Sequence, residues 1–530
     1  MKTNLSNTQK QRYLFGFLID PIVYISLSLL ILLLNISMVN EISSYEAMLH
    51  TFIGLCFGLF FRIIFLVYNQ NWIKFPINGL VRITAAELIA CLLHYGFGYI
   101  TSIKRVPLVH LFAISAITII VQIGFRFAYY YYHQIKGGKN KVLLSSPTMY
   151  EEEQKYIEEA FEKNWVAPLG FNCDGFENEM VEYINEDLHA FATCSGTGAL
   201  HLAAKLANIK PGDPILCSDL TFAATVNPMA YEGGKLVFID SEYETWNMSP
   251  KALEKAFEKY PQAKVVVLVH LYGTPAKMDE ILAICKKHNA VLIEDAAEAL
   301  GASYKNKMCG SFGQYNVLSF NGNKIITTSG GGMLLTQNKK DRDKALFLGT
   351  QARENTIWYE HEEIGYNYRM SNIVAGIGRG QLKHLEDHKQ LKTQIYHNYL
   401  DGLQGLPVKL NPYLQDTIPN HWLSCLIIDS DRLCKHERSE TTYTYTHEPH
   451  KTCPDEIYDV LKKNDIETRP IWKPMHSQPV YKDCDFIANP DYDKPVSEDI
   501  FDRGICLPSD IKMKKEQQSK AIEIIRSLFD

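Results

Sequence analysis

The chain has 530 residues, of which 46% are hydrophobic and 22% charged, and a formal net charge of −6. That length suits about three domains, and the lack of a basic excess argues against a nucleic-acid partner. The 12 cysteines include no C-x-x-C pair, so neither a metal site nor a disulfide framework is expected, and the compartment reads as reducing.

Four apolar stretches come first, over 14–38, 47–68, 83–103 and 106–130. Each is long enough for a membrane-spanning helix, which needs about 20 residues. The first is too long for a signal-peptide core and has no small-x-small cleavage site after it. Basic residues flank the spans at Lys2, Lys10 and Arg12, at Lys74 and Arg82, and at Lys136, Lys139 and Lys141. This pattern predicts a multi-pass protein of the cytoplasmic (inner) membrane with both termini cytoplasmic, although Lys104 and Arg105 lie on the opposite side. Of the ionisable residues inside the stretches, Arg62 and Glu87 stand at similar depth on neighbouring spans and are expected to pair; His94 and His110 are further candidates. The domain boundaries read as a four-span segment over 1–135, a linker over 136–141, a large domain over 142–380 and a small domain over 381–530.

Beyond residue 141 short β-branched runs at 190–195, 235–240, 264–270 and 290–295 alternate with helical-period segments at 198–209 and 275–288. Such alternation predicts an α/β fold with a mainly parallel sheet and ligand sites at the strands' C-terminal ends. At Cys194–Leu200 a strand turns through Ser-Gly-Thr-Gly into a helix. Gly196, Thr197 and the helix N-terminus could seat a phosphate, or the turn could be a plain cap. Phe222 follows the next strand and could stack on a flat ring or fill the core. Asp295 ends the run AVLIED, where it could face a pyridine nitrogen or cap the next helix; Glu298 would share its face. Lys324 then stands in SFNGNKIITTSGGG, with Ser319 five residues before it. A lysine in a tight loop can form an imine with an aldehyde, and pyridoxal 5′-phosphate (PLP) is the aldehyde most often held this way.

These motifs, with NWVAPLG at 164–170, GYNYRMSNIVAGIGRGQL at 365–382, TRPIWKPMH at 468–476 and CLPSD at 506–510, resemble those of the DegT-type sugar aminotransferases. The resemblance implies a fold-type I PLP-dependent transferase, in which a large domain with a mainly parallel sheet joins a smaller α+β domain. It further implies that Lys324 carries the cofactor, Asp295 holds its ring nitrogen, Phe222 stacks on the ring, and Gly196, Thr197 and Ser319 bind the phosphate. Glu298 would touch the same ring, and Asn367 would reach the cofactor of a second subunit, so a homodimer is implied. Glu298 stands where glutamine is common in the family and is similar to the enzymes that make the 4-amino precursor of UDP-diacetylbacillosamine. In that subgroup Trp165, Val166, Ala167, Pro168, Asn321, Arg369, Trp472, Lys473 and His476 match the nucleotide-sugar pocket. The apolar segment resembles the four-helix anchor of membrane-bound nucleotide-sugar 4,6-dehydratases.

The resulting expectation is transfer of an amino group from L-glutamate to C4 of a UDP-4-keto-6-deoxy-N-acetylhexosamine at the membrane. A perosamine-type aminotransferase is the alternative within the class, and a catalytically silent PLP-fold scaffold the alternative outside it. The polar segment 431–452, with Tyr-Thr alternation and several histidines, reads as an insertion without an assigned role.

Overall fold

A computed structural model describes residues 44–64, 77–101, 111–113, 115–124, 141–184, 186–439 and 441–530. The chain divides into two compact units, Met1–Lys141 and Val142–Asp530.

In the first unit helix α1 (Ser44–Ile64) packs against helix α2 (Ile77–Ile100). These coincide with the second and third apolar stretches. The first stretch, the ends of the fourth, His110 and the side chain of Arg62 lie outside the described residues. Four spans are therefore not what the structure displays: among the described residues no helix is long and apolar enough to cross a membrane. Both helices carry ionisable groups in their interiors, His50 and Arg62 in one and Arg82, Glu87 and His94 in the other. The polar groups turn inward. His50 Nδ1 lies 3.1 Å from His94 Nε2, and Glu87, Thr118 and Gln122 are buried, whereas Phe52, Phe60, Leu92 and Ile120 are exposed.

The second unit is built on an eight-stranded sheet. Its strands are β1 (His189–Thr193), β2 (Pro214–Ser218), β3 (Lys235–Ile239), β4 (Val265–Val269), β5 (Val291–Asp295), β6 (Tyr315–Ser319), β7 (Gly332–Thr336) and a late strand, Asp485–Ile487. Their spatial order is β1-β7-β6-β5-β4-β2-β3, with Asp485–Ile487 outside β3. Every neighbouring pair is parallel except those made by β7, which runs antiparallel to both β1 and β6. The connection from β6 to β7 is the lysine loop itself; it contains no crossover helix, so the chain returns alongside in the opposite sense.

Alternate residues of these strands enter two cores, one on each face, as the period of 2 requires. Leu216, Val237, Val266 and Leu318 lie in one, and Cys217, Phe238, Val267 and Val317 in the other. A third core, with Tyr399, Leu426, Ile457 and Ile525, supports a four-stranded antiparallel sheet in the C-terminal part. Two segments cross the 380/381 partition: Val142 packs in this third core, and Asp485–Ile487 joins the large sheet.

Candidate active site

The C-terminal ends of β1, β2, β5 and β6 open on one cavity of about 310 Å³. At the end of β1, Ser195 has extended backbone and caps the helix Gly196–Leu206, its Oγ accepting from the Gly198 amide at 3.0 Å. The cap leaves the amides of Gly196 and Thr197 at the helix N-terminus, where partial positive charge favours an anion. Gly332 makes this possible, because a Cβ there would lie 2.4 Å from the Gly196 nitrogen. Ser319 approaches the same turn, its Cβ 3.0 Å from where a Gly196 Cβ would stand.

Asp295 ends β5 fully buried. Its Oδ2 accepts from Thr225 Oγ1 at 2.7 Å and its Oδ1 from the Ala297 amide at 3.0 Å. Burial pushes its carboxyl up, against the pull of these two donors and of Lys324. Glu298, a turn further on, is also pushed up by burial; its Oε2 accepts from the Tyr272 amide at 2.7 Å and its Oε1 lies 3.6 Å from Lys324 Nζ. Lys324 Nζ sits 4.2 Å from the centroid of the Trp422 ring, whose Nε1 donates to the Asn323 carbonyl at 2.7 Å.

Opposite, Phe222 is 51% exposed and faces Trp472 at 5.2 Å between ring centroids. Trp472 stacks in turn near Tyr272, whose hydroxyl accepts from the Trp472 amide at 2.9 Å. Trp472 lines the cavity, its buried Nε1 turned toward the Glu298 carboxylate, whose charge it favours.

Nine of the expected residues therefore share this cavity: Gly196, Thr197, Phe222, Asp295, Glu298, Ser319, Asn321, Lys324 and Trp472. The others do not line it within this chain. Trp165 is exposed and donates its Nε1 to the Leu169 carbonyl at 2.7 Å. The turn holding Val166, Ala167 and Pro168 is tied down by Asn372, whose amide donates to the Ala167 carbonyl at 2.8 Å. Asn367 is exposed, its backbone bridging to Thr350. Arg369 lies beside Cys173 and Glu177, its Nε buried and unpartnered. Lys473 sits next to Trp472 in sequence but outside the lining. His476 points into a carboxylate pair, Nδ1 at 2.8 Å from Asp219 Oδ2 and Nε2 at 2.9 Å from Glu498 Oε1.

Sequence reasoning missed Thr225, Tyr272 and Trp422. Thr225 carried a signal, standing four residues after Thr221 in the turn that holds Phe222, with the two hydroxyls 2.7 Å apart. Trp422 comes from the C-terminal part and had none.

A helix N-terminus for a phosphate, an open aromatic face, a buried carboxylate held by two donors and a lysine beside it fit PLP. The fold and this site define a PLP-dependent sugar aminotransferase. The chain belongs to the DegT/DnrJ/EryC1/StrS aminotransferase family, whose pattern matches residues 147–526. It is 43% identical over 394 residues to the pyridoxal phosphate-dependent aminotransferase EpsN of Bacillus subtilis, covering 73% of this chain and 96% of that one. It is 34% identical over 384 residues to GDP-perosamine synthase of Escherichia coli O157:H7, covering 72% and 97% respectively. Among solved structures, a DegT DnrJ EryC1 StrS aminotransferase from Brucella abortus superposes with a TM-score of 0.63 at 26% identity, over 72% of this chain and 95% of that one.

Proposed function

We propose that the enzyme transfers an amino group from L-glutamate to C4 of a UDP-4-keto-6-deoxy-N-acetylhexosamine, for glycan assembly at the cytoplasmic face of a membrane. The observation that carries the reading is the meeting of Lys324, Asp295 and Glu298 in one cavity walled by Phe222, Trp422 and Trp472.

PLP supplies the electron sink that stabilises charge at the substrate carbon losing its proton. The amides of Gly196 and Thr197 and the Ser319 hydroxyl take its phosphate, and Phe222 covers its ring. Asp295, aimed by Thr225, holds the proton on the ring nitrogen. Lys324 Nζ would take the proton from the substrate carbon as general base and give it back as general acid. Glu298 stands close enough to that amine to share its charge. Trp472 and Asn321 line the approach for the sugar.

The proposal includes a homodimer, in which Asn367 and Arg369 serve the neighbouring subunit's cavity. In its support, the loop before Asn367 exposes Ile357, Trp358, Tyr359 and Ile364, a patch of the kind that marks a protein interface. It also includes membrane attachment through the first unit. The apolar stretches of its sequence and the outward Phe52, Phe60, Leu92 and Ile120 over inward His50, Glu87 and His94 support this.

The likeness to GDP-perosamine synthase favours a second reading, a GDP-4-keto-6-deoxymannose acceptor. Turnover with glutamate over a panel of nucleotide keto sugars decides between them. The UDP sugar is expected to be preferred by at least about tenfold in kcat/KM, roughly 1.4 kcal/mol of differential transition-state binding. A better GDP sugar, or no amination of any nucleotide 4-keto sugar, overturns the proposal.

A further inference from the structure

Among the described residues, two groups of histidine, cysteine and carboxylate side chains come close enough to share a metal ion: His270 with Glu294 and Cys309, and His436 with Cys453 and Asp455. The first is fully committed to hydrogen bonds. His270 Nε2 meets Glu294 Oε1 at 2.9 Å and its Nδ1 accepts from the Ala276 amide at 3.0 Å, while Glu294 also accepts from the amides of Phe312 and Gly313. The backbone amides of Ala276, Gly310, Phe312 and Gly313 that hold His270 and Glu294 fix this group as a hydrogen-bond network.

The second group is built differently. It lies at the base of the insertion, where the hairpin of strands His436–Arg438 and Tyr443–Tyr445 rejoins the helix Pro454–Lys463. The His436, Cys453 and Asp455 ligand atoms lie within 4.8 Å of one another, and the Cys434 thiol contacts the Cys453 thiol. The four ligands come as Cys434-x-His436 and Cys453-x-Asp455, brought together where the Cys434 amide donates to the Thr452 carbonyl at 3.0 Å. Cys434, Cys453 and Asp455 are each at least 95% buried, and the His436 side chain is 3% exposed.

We infer that these four side chains form a structural zinc-type site that fastens the insertion to the small domain. Two sulfurs, one imidazole nitrogen and one carboxylate oxygen are the donor set of a closed, tetrahedral zinc centre. Ligand atoms around zinc stand about 3.3–3.8 Å apart, so His436, Cys453 and Asp455 need to contract by about 1 Å, and Cys434, already against Cys453, has to turn in as the fourth ligand.

The surroundings match as well. His436 Nδ1 faces the group, 3.0 Å from Asp455 Oδ2, while Nε2 lies 3.4 Å from Asp502 Oδ1; a carboxylate on the outer nitrogen is the usual way to orient a ligating histidine. Arg438 Nε donates to both Asp455 oxygens, at 3.0 and 2.9 Å, and its Nη1 to the Phe501 carbonyl at 2.8 Å. With both thiols ionised, two thiolates, one carboxylate, the guanidinium and a dication sum to zero charge. Binding replaces two thiol protons, which leave to solvent, and takes the lone pair of His436 Nδ1 with the ring proton on Nε2 toward Asp502.

The hairpin has reason to need such a clamp. Neither of its strands is buried, and a lone two-stranded hairpin is marginal in water. The set alternates cysteine with histidine and aspartate and so contains no C-x-x-C pair.

The test uses the untagged full-length protein, with metal content measured by mass spectrometry and zinc exchanged for Co2+. About one zinc per chain is expected, together with thiolate charge-transfer and ligand-field bands in the cobalt form. Cys453→Ser should abolish both while leaving amino transfer intact. Should that variant not fold, chelation of the wild type should remove the metal and open the hairpin to protease, and zinc should restore protection. Metal-free protein without a cobalt spectrum, or a Cys434–Cys453 disulfide in protein isolated without reductant, overturns the inference.

Discussion

Thr225 donates the shorter of the two hydrogen bonds that hold the Asp295 carboxylate. A hydrogen bond to a charged group contributes about 1.5–3 kcal/mol. Thr225→Val should therefore weaken PLP binding by at least about tenfold in a visible-absorbance titration, and Thr225→Ser should restore it. Unchanged affinity in the valine variant would mean that Asp295 is held by the backbone alone. His476 carries a different consequence. Burial would lower its pKa, but Asp219 and Glu498 more than offset this and push it up to about 9. A pKa raised on folding contributes stability that is complete below the unfolded value, near 6.5, and is lost as pH rises through about 9. The wild-type Tm should fall over that window, and His476→Gln should flatten the fall. Equal slopes for the two proteins would show that the ring is not protonated in the fold.

At the level of elements, the loop between β6 and β7 binds the site together, and Gly332, where it enters β7, is its point of contact with the phosphate-binding turn. It pairs with Thr193 on one side and Ser319 on the other. Gly332→Ala places a methyl against the Gly196 backbone and should cost about 1–3 kcal/mol, read as a lower Tm with loss of cofactor absorbance. A variant that melts and absorbs like the wild type would contradict the packing described. The strands were legible because VVVLV is apolar throughout, as a strand covered on both faces must be, and VLIED is apolar up to its closing Glu294 and Asp295. The site residues were legible because each stands just past such a run. The reversal of β7 was not, since GMLLT reads alike in either direction. Nor was the place of His476: its captor Asp219 lies 257 residues away at the end of β2, and no local pattern reports that distance. The edge strand Asp485–Ile487 is too short to announce itself among polar neighbours.

For the whole molecule, the cavity is lined wholly by residues of the second unit. Deleting residues 1–141 should therefore leave a PLP-loaded dimer with turnover near that of the full chain, measured by kcat/KM and light scattering. The full chain should pellet with membranes and resist carbonate extraction, and the truncated one should do neither. Loss of cofactor binding on truncation would assign the first unit a part in the site. The sheet's edges bear on how the protein is made. Within the sheet β1, one edge, pairs with β7, its far side bridged at Thr193 to Arg369, and the outer side of β3 pairs with Asp485–Ile487. On the ribosome, the phosphate-binding end of β1 thus has no sheet neighbour until residue 332 emerges, and β3 keeps an open flank until residue 487 does. An open parallel edge is a template for another chain. A chain that stops short of residue 485 keeps that flank open, so whether the edge is guarded is settled only in the last tenth of synthesis.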